Sequence, residues 1–139
     1  MILLDTNVLS AMMQVVPEEV VARWLDQQPF DSIWTSTITV MEIRAGLIAM
    51  PAGRRRDGLT QSFSTLLEEI IRGRIASFDT SAAESAAELM AVRKLRGRPV
   101  DWRDTMIAGI ALATHATLAT RNTSHFEDLS VPVVNPWTA

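Results

Sequence analysis

The sequence predicts an α/β fold, with a central parallel β-sheet covered by helices on both faces. Three observations carry this. The candidate strands are short and apolar throughout rather than alternating, as strands covered on both faces are. Longer segments with apolar residues at helical spacing alternate with them along the chain. Proline, glycine and capping residues fall at the junctions.

Taken in order, Ile2-Leu3-Leu4 is the first strand, and it ends at once in Asp5-Thr6-Asn7. Glu18 to Asp26 follows Pro17 and repeats Val20, Val21, Trp24 and Leu25 at helical spacing, with a proline and acids where a first turn favours them. Ser32 to Thr35 is the second strand, and Ser36 or Thr37 caps a helix that runs to about Met50, stopped by Pro51 and Gly53. Arg54 to Asp57 reads as a charged link ahead of a helical stripe, Leu59, Phe63, Leu66, Leu67, Ile70 and Ile71. Ile75 to Phe78 is the third strand. Ser81 and Glu84 have the spacing of a capping box, which starts an alanine-rich helix to about Leu95. Gly97 and Pro99 break it, and Asp101 caps a helix from Trp102 to Ala113. Thr117 to Thr120 and Val131 to Val134 are the last two strands. No internal repeat, low-complexity tract or linker divides the 139 residues, enough for one domain with one core.

Composition narrows the chemistry. A chain 47% hydrophobic and 21% charged is expected to fold as a globule. It has no cysteine, so disulfides, zinc knuckles and thiol catalysis are excluded, and a reducing compartment suits it. Two histidines, His115 and His125, are too few for a histidine metal cage. No apolar run is long enough for a signal peptide or membrane span, which points to the cytoplasm. With a formal net charge of −3, contact with nucleic acid must use local patches.

The polar residues with a claim to chemistry sit at strand ends and helix starts. In open parallel sheets ligands bind beyond the carboxyl ends of the strands, which is where Asp5 falls. It is either a cap of the following turn or a metal ligand steadied by Thr6 or Asn7. Glu42 lies mid-helix on a face with Ile38, Ala45, Gly46 and Ala49. A carboxylate on such a face is costly unless compensated; alternatively that face meets solvent, and Val40, Ile43 and Leu47 form the core side. Asp104 occupies the third position of its helix, where free amides favour an acid, and stands above Ile107, Ala108 and Ala111. Asp101 is the cap, Asp104 the candidate for chemistry. After the fourth strand comes Asn122, with Thr120, Thr123 and Ser124 able to hold a water or phosphate, or simply to form a turn. His125 reads as a loop or packing histidine, and His115 as a partner of a helix C-terminus. Three carboxylates and an amide are hard oxygen donors suited to Mg²⁺ or Mn²⁺, the usual equipment for phosphodiester hydrolysis. No phosphate-binding GKS or GKT loop, GxGxxG, GxSxG or HExxH competes with them.

The segments MILLDTNVLS, TSTITVMEIRAG, DWRDTMIAGIALA, LATRNTSHF and VVNPW, in this order over nearly the whole chain, resemble a PIN-domain ribonuclease of the VapC toxin family, in its FitB-like branch. The resemblance implies a three-layer α/β/α sandwich, a single PIN-like nuclease domain over residues 1–139. It implies that Asp5, Glu42 and Asp104 are catalytic and hold Mg²⁺, or Mn²⁺, with Thr6 orienting the first aspartate. The fourth position, often aspartate in the family, is Asn122 here, so one well-bound metal is expected, a second arriving with substrate. The implied activity is that of a metal-dependent endoribonuclease toxin of a type II toxin-antitoxin system. Its implied partners are RNA, a small cognate antitoxin and, through the antitoxin alone, operator DNA. A homodimer is expected, joining the antitoxin in a heterotetramer or larger complex. The alternative is a catalytically weak PIN-like RNA-binding or regulatory protein acting within an antitoxin–DNA complex. A receiver-like phosphoacceptor is disfavoured, since Lys94 is the lone lysine.

For RNA contact, five of the thirteen basic residues lie between Arg93 and Arg103, beside Asp104. Arg96, Arg98 and Arg103 are the candidates for holding a phosphate backbone; Arg93 and Lys94 also suit a solvated helix end. Arg54-Arg55-Arg56 carries no substrate role. The stripe from Leu59 to Ile70 suits core, dimer or antitoxin contact alike, and Trp24, Trp34, Trp102 and Trp137 are packing residues or contacts.

Overall fold

A computed structural model describes residues 1–99 and 101–139. Five parallel strands form one sheet in the order β3-β2-β1-β4-β5: β1 is Ile2–Leu4, β2 Ile33–Ser36, β3 Ile75–Ala76, β4 Thr117–Ala119 and β5 Val133–Val134. In β1, Leu3 and Leu4 point to opposite faces, as the strand period requires, and each anchors a separate core. Leu4 packs with α1 (Thr6–Met13), α2 (Glu19–Asp26), α4 (Arg54–Leu66) and the Ile43/Leu47 side of α3 (Thr37–Ala49). Leu3 packs with α5 (Thr80–Leu95), α6 (Trp102–Thr114) and Phe126. This is the predicted α/β architecture, helices on both faces of a parallel sheet.

Local chemistry sets the boundaries. Ser36 caps α3 by accepting from the Thr39 amide. Asp101 caps α6 by accepting from the amides of Arg103 and Asp104, as its position in the sequence implies. The cap of α5 differs from expectation: Asp79, not Ser81, accepts from the Ala82 amide, so the helix begins at Thr80 and the Ser81–Glu84 spacing lies inside it. Arg54 to Asp57 is no link but the first turn of α4. The third and fifth strands are shorter than predicted, because only Ile75–Ala76 and Val133–Val134 pair with a neighbour. The apolar stripe after Leu59 goes to the core, with Phe63 and Ile71 fully buried, and its last turn widens into a π-helix at Leu67–Ile71.

On the α5–α6 side, a β-carbon at Gly109 would stand 2.5 Å from the Ala82 carbonyl oxygen and 2.7 Å from Ala86 Cβ. Glycine there lets the two helices approach closely enough to hold the start of α6, and with it Asp104, against the sheet. The chain visits β2 and β3 on one side of β1 and then crosses to β4 on the other. The strand order therefore reverses between β1 and β4, which opens a crevice beyond their carboxyl ends.

Candidate active site

Asp5 leaves β1 at that crevice and is 3% exposed. It is the N-cap of α1, one of the two roles that the sequence offers, and its carboxylate also lines the cleft. One carboxylate oxygen accepts from the Thr6 amide at 2.8 Å. The other accepts from the Thr120 hydroxyl at 2.8 Å and the Asn7 amide nitrogen at 3.3 Å. Thr120 is the first residue past β4, so the two central strands lock this carboxylate in place. Its pKa is raised above the ordinary carboxylate value, because burial disfavours the charge and Asp104 and Glu42 add repulsion; the bonds from Thr120 and Thr6 offset only part of this.

Glu42 enters from α3. Ile43 and Leu47 are buried while Ala45, Gly46 and Ala49 are exposed, so the small-residue face meets solvent and Glu42 stands at its inner margin, its side chain 20% exposed. The Thr6 hydroxyl donates to Glu42 Oε1 at 2.9 Å. This corrects the expectation for Thr6: its backbone amide reaches Asp5, but its hydroxyl orients the glutamate, and Thr120 supplies the hydroxyl on Asp5. Arg103 approaches Glu42 Oε2 at 3.8 Å. Asp104 comes from the first turn of α6, above the buried Ile107, Ala108 and Ala111. Its Oδ2 lies 2.8 Å from Nδ1 of the half-exposed His125. From sequence His125 reads as a packing or loop residue; nothing in SHF marks it out, because its contact is set by where the short 3₁₀ turn Thr123–Phe126 lands against α6.

Asp5, Glu42, Asp104 and Asn122 thus line one cleft of about 530 Å³, together with Thr6 and Asn7. Asn7 bridges its two sides, donating to Asp5 and accepting from the Arg121 amide at 3.0 Å. The donors are all hard oxygens around a net negative centre, which suits a divalent cation of the magnesium class. Among the described residues, no three Asp, Glu or His groups stand close enough to grip one metal ion as they are. Glu42 is turned to Thr6 and Arg103, and Asp104 to His125, each carboxylate engaging its own donor.

The predicted basic patch separates into parts. Arg93 is not at a solvated helix end. It is 5% exposed and forms a doubly hydrogen-bonded ion pair with Asp128, 6% exposed, at 2.9 Å for each bond. It also donates to the Thr105 hydroxyl and the His125 carbonyl oxygen. Arg98 lies 3.6 Å from the same Asp128 and lines a second hollow with Asp104 and His125. Arg103 sits between Glu42 and Asp101, and Arg96 is exposed at the end of α5. Trp24 is a core residue, Trp102 is exposed, and Trp137 lines the cleft.

Residues 2–131 match the PIN domain family. The chain is 42% identical to the plasmid stability protein StbB of Pseudomonas syringae pv. tomato, over the full length of both. It is 40% identical to the VapC ribonuclease Y4jK of Sinorhizobium fredii, over 99% of this chain and 98% of that one. The structure of FitAB bound to an IR36 DNA fragment contains a chain that superposes with a TM-score of 0.88 at 35% identity, covering 99% of this chain and 96% of that one. The chain belongs to the PIN-domain family, in the branch that holds VapC and FitB.

Proposed function

We propose that the protein is a metal-dependent endoribonuclease, the toxin of a type II toxin-antitoxin pair, with residues 1–139 as a single nuclease domain. The observation that carries this is the meeting of Asp5, Glu42 and Asp104, far apart in sequence, in one cleft at the carboxyl edge of the sheet. The relatives named as a VapC ribonuclease and as toxin FitB support the same reading. When bound, a divalent cation of the Mg²⁺ or Mn²⁺ type supplies activation of a water and an offset for the charge that grows on the phosphate. Asp5, Glu42 and Asp104 would hold it. Thr120, Asn7 and the Thr6 amide fix the Asp5 carboxylate, and the Thr6 hydroxyl fixes Glu42. Arg98 and Arg103, at the near end of the basic stretch, would contact RNA by exchanging their carboxylate partners for phosphate; Arg96 stands farther out. An antitoxin supplies operator binding, since a chain of formal charge −3 is poorly suited to grip DNA alone. The solved structure of FitAB bound to a DNA fragment, which contains a chain 35% identical to this one, supports that reading. Two copies of this chain would pair within such an assembly, and its RNA substrate places its action in the cytoplasm.

The test is cleavage mapping on total RNA with the purified chain. Discrete new 5′ ends that appear with Mg²⁺ or Mn²⁺ and vanish with EDTA are expected; an unchanged RNA population in both conditions would defeat the nuclease reading and leave the binding role. Asn122 gives an independent prediction. It lines the cleft but adds no charge, so Asn122→Asp is expected to tighten Mn²⁺ binding about tenfold or more, by adding an anion beside the cation. Calorimetric titration of both proteins checks this, and equal affinities would put residue 122 outside the metal's reach.

A further inference from the structure

An acidic cleft that takes a polyanion gains from a fixed cation on its wall, beyond the metal that its carboxylates would hold. Arg103 faces Glu42 and Asp101, and Arg98 faces Asp128. Among the residues that line the acidic cleft, the one cation is Arg121, and it makes no ion pair among the described residues. It is held at both ends. Its amide donates to Asn7 Oδ1, and the same Asn7 touches Asp5. Its guanidinium lies 4.9 Å from the centre of the Trp137 ring. Trp137 is itself fixed. The end of β5 is tied to β4 by the Thr120 amide on the Val134 carbonyl oxygen, Asn135 accepts from the Trp137 amide, and the indole N–H donates to Glu18. A guanidinium stacked on an aromatic face keeps its N–H edge free, with the fork geometry that matches a phosphate. Holding that side chain still beforehand removes ordering cost at binding.

We propose that Arg121, laid on the Trp137 ring, is the cleft's contact for a backbone phosphate of the bound RNA strand, adjacent to the phosphate that is cut. Trp137 is its positioning residue. This deepens the ribonuclease reading and rests on it. It also accounts for the VVNPW terminus, which no ligand role absorbs, and it adds a cation outside the stretch from Arg93 to Arg103 that sequence charge density singled out.

Two arms test it, both with the full chain. In the first, a fluorescent single-stranded RNA spanning a mapped cleavage site is bound in Mg²⁺ by Asp5→Asn protein, so that it stays intact, and by the same protein carrying Arg121→Ala, Arg121→Lys, Trp137→Leu or Trp137→Phe. Arg121→Ala is expected to weaken binding about tenfold and to flatten the salt dependence by about 0.7 in log–log slope, one single-strand phosphate contact. Trp137→Leu should weaken binding several-fold, Trp137→Phe should retain most of it by keeping the ring face, and Arg121→Lys should fall between. In the second arm, on the otherwise wild-type chain, Arg121→Ala and Trp137→Leu should raise KM and leave kcat nearly unchanged. Wild-type RNA affinity and salt slope in Arg121→Ala would overturn the proposal. So would a Trp137→Leu protein that loses thermal stability while its KM and affinity stay at wild-type values, since that is a structural latch. A wild-type chain that cuts no RNA defeats the nuclease reading; the binding arm is then run on the wild-type chain with a generic single-stranded RNA, and unchanged affinity and salt slope in Arg121→Ala there overturn the proposal as well.

Discussion

Asp5→Asn is expected to abolish RNA cleavage, by a factor of about 10³ or more, while the protein stays folded. The substitution is nearly isosteric beneath Leu3 and Leu4, and asparagine caps a helix about as well as aspartate. A purely structural Asp5 would therefore tolerate it. A metal ligand would not, because the site loses the charge of the most buried of its three candidate ligand carboxylates. The raised pKa of Asp5 gives the change a second signature. Where a folded-state carboxyl pKa is raised, the folded state binds more protons than the unfolded one between the two values. Stability is then greatest below the ordinary carboxylate pKa and falls as pH rises through the folded value. At pH 7 in EDTA, wild type bears this cost and Asp5→Asn does not, so the variant's Tm should equal or exceed that of wild type. Added Mn²⁺ should raise the Tm of wild type and leave the variant's nearly unmoved. Thermal melts with and without Mn²⁺, beside a cleavage assay, read both effects. Undiminished cleavage by folded Asp5→Asn would return Asp5 to the role of a cap.

Arg93→Met should be among the most destabilising single substitutions in the chain, by about 3–5 kcal/mol. It leaves the Asp128 carboxylate buried without its two hydrogen bonds, with Arg98 at 3.6 Å as the remaining cation, and the Thr105 hydroxyl and the His125 carbonyl oxygen without their donor. The Tm should fall on the order of 10 °C in a chain of this size, and the double variant Arg93→Met/Asp128→Leu should recover much of the loss, since a buried pair replaced by apolar residues is often tolerated. The pair has a pH signature opposite to that of Asp5. Hydrogen bonding from Arg93 lowers the pKa of Asp128; its contribution is present above the ordinary carboxylate pKa and is lost as pH falls through the lower, folded value. Acid melts of wild type should therefore steepen in that range, and those of the double variant should not. The pair ties α5 to the turn that carries His125, so Arg93→Met should also loosen the edge of the cleft beside Asp104. A loss below about 1 kcal/mol would mean that the pair is solvated.

Local rules made much of this legible beforehand. Leu3 and Leu4 announced a strand buried on both faces; Asp101 and Ser36 were recognisable caps, and Asp5 stood where a strand must hand over to a turn. Asp5 and Asp104 stand out because each interrupts an apolar pattern at an element boundary, and Glu42 because it sits mid-helix on a face of apolar and small residues. What escaped depends on packing between segments distant in sequence. Arg93 looked like a basic residue at a helix end, since its partner Asp128 lies 35 positions on. Thr6 and Thr120 are both hydroxyls beside the cleft, and which carboxylate each serves is decided by the register of β1 against β4, in which Leu4 pairs with Ala119. His125 and Arg121 belong to one polar turn, and only its docking separates the residue that meets Asp104 from the residue that stacks on Trp137.

Three carboxylates that share one divalent cation should each be visible in a direct titration of Mn²⁺ into the purified protein. Wild type is expected to bind at one principal site. Asp5→Asn, Glu42→Gln and Asp104→Asn, each folded by circular dichroism, are each expected to weaken that site at least tenfold. Wild-type affinity in any one of the three would rule out a shared site, because that carboxylate would then have no part in holding the metal.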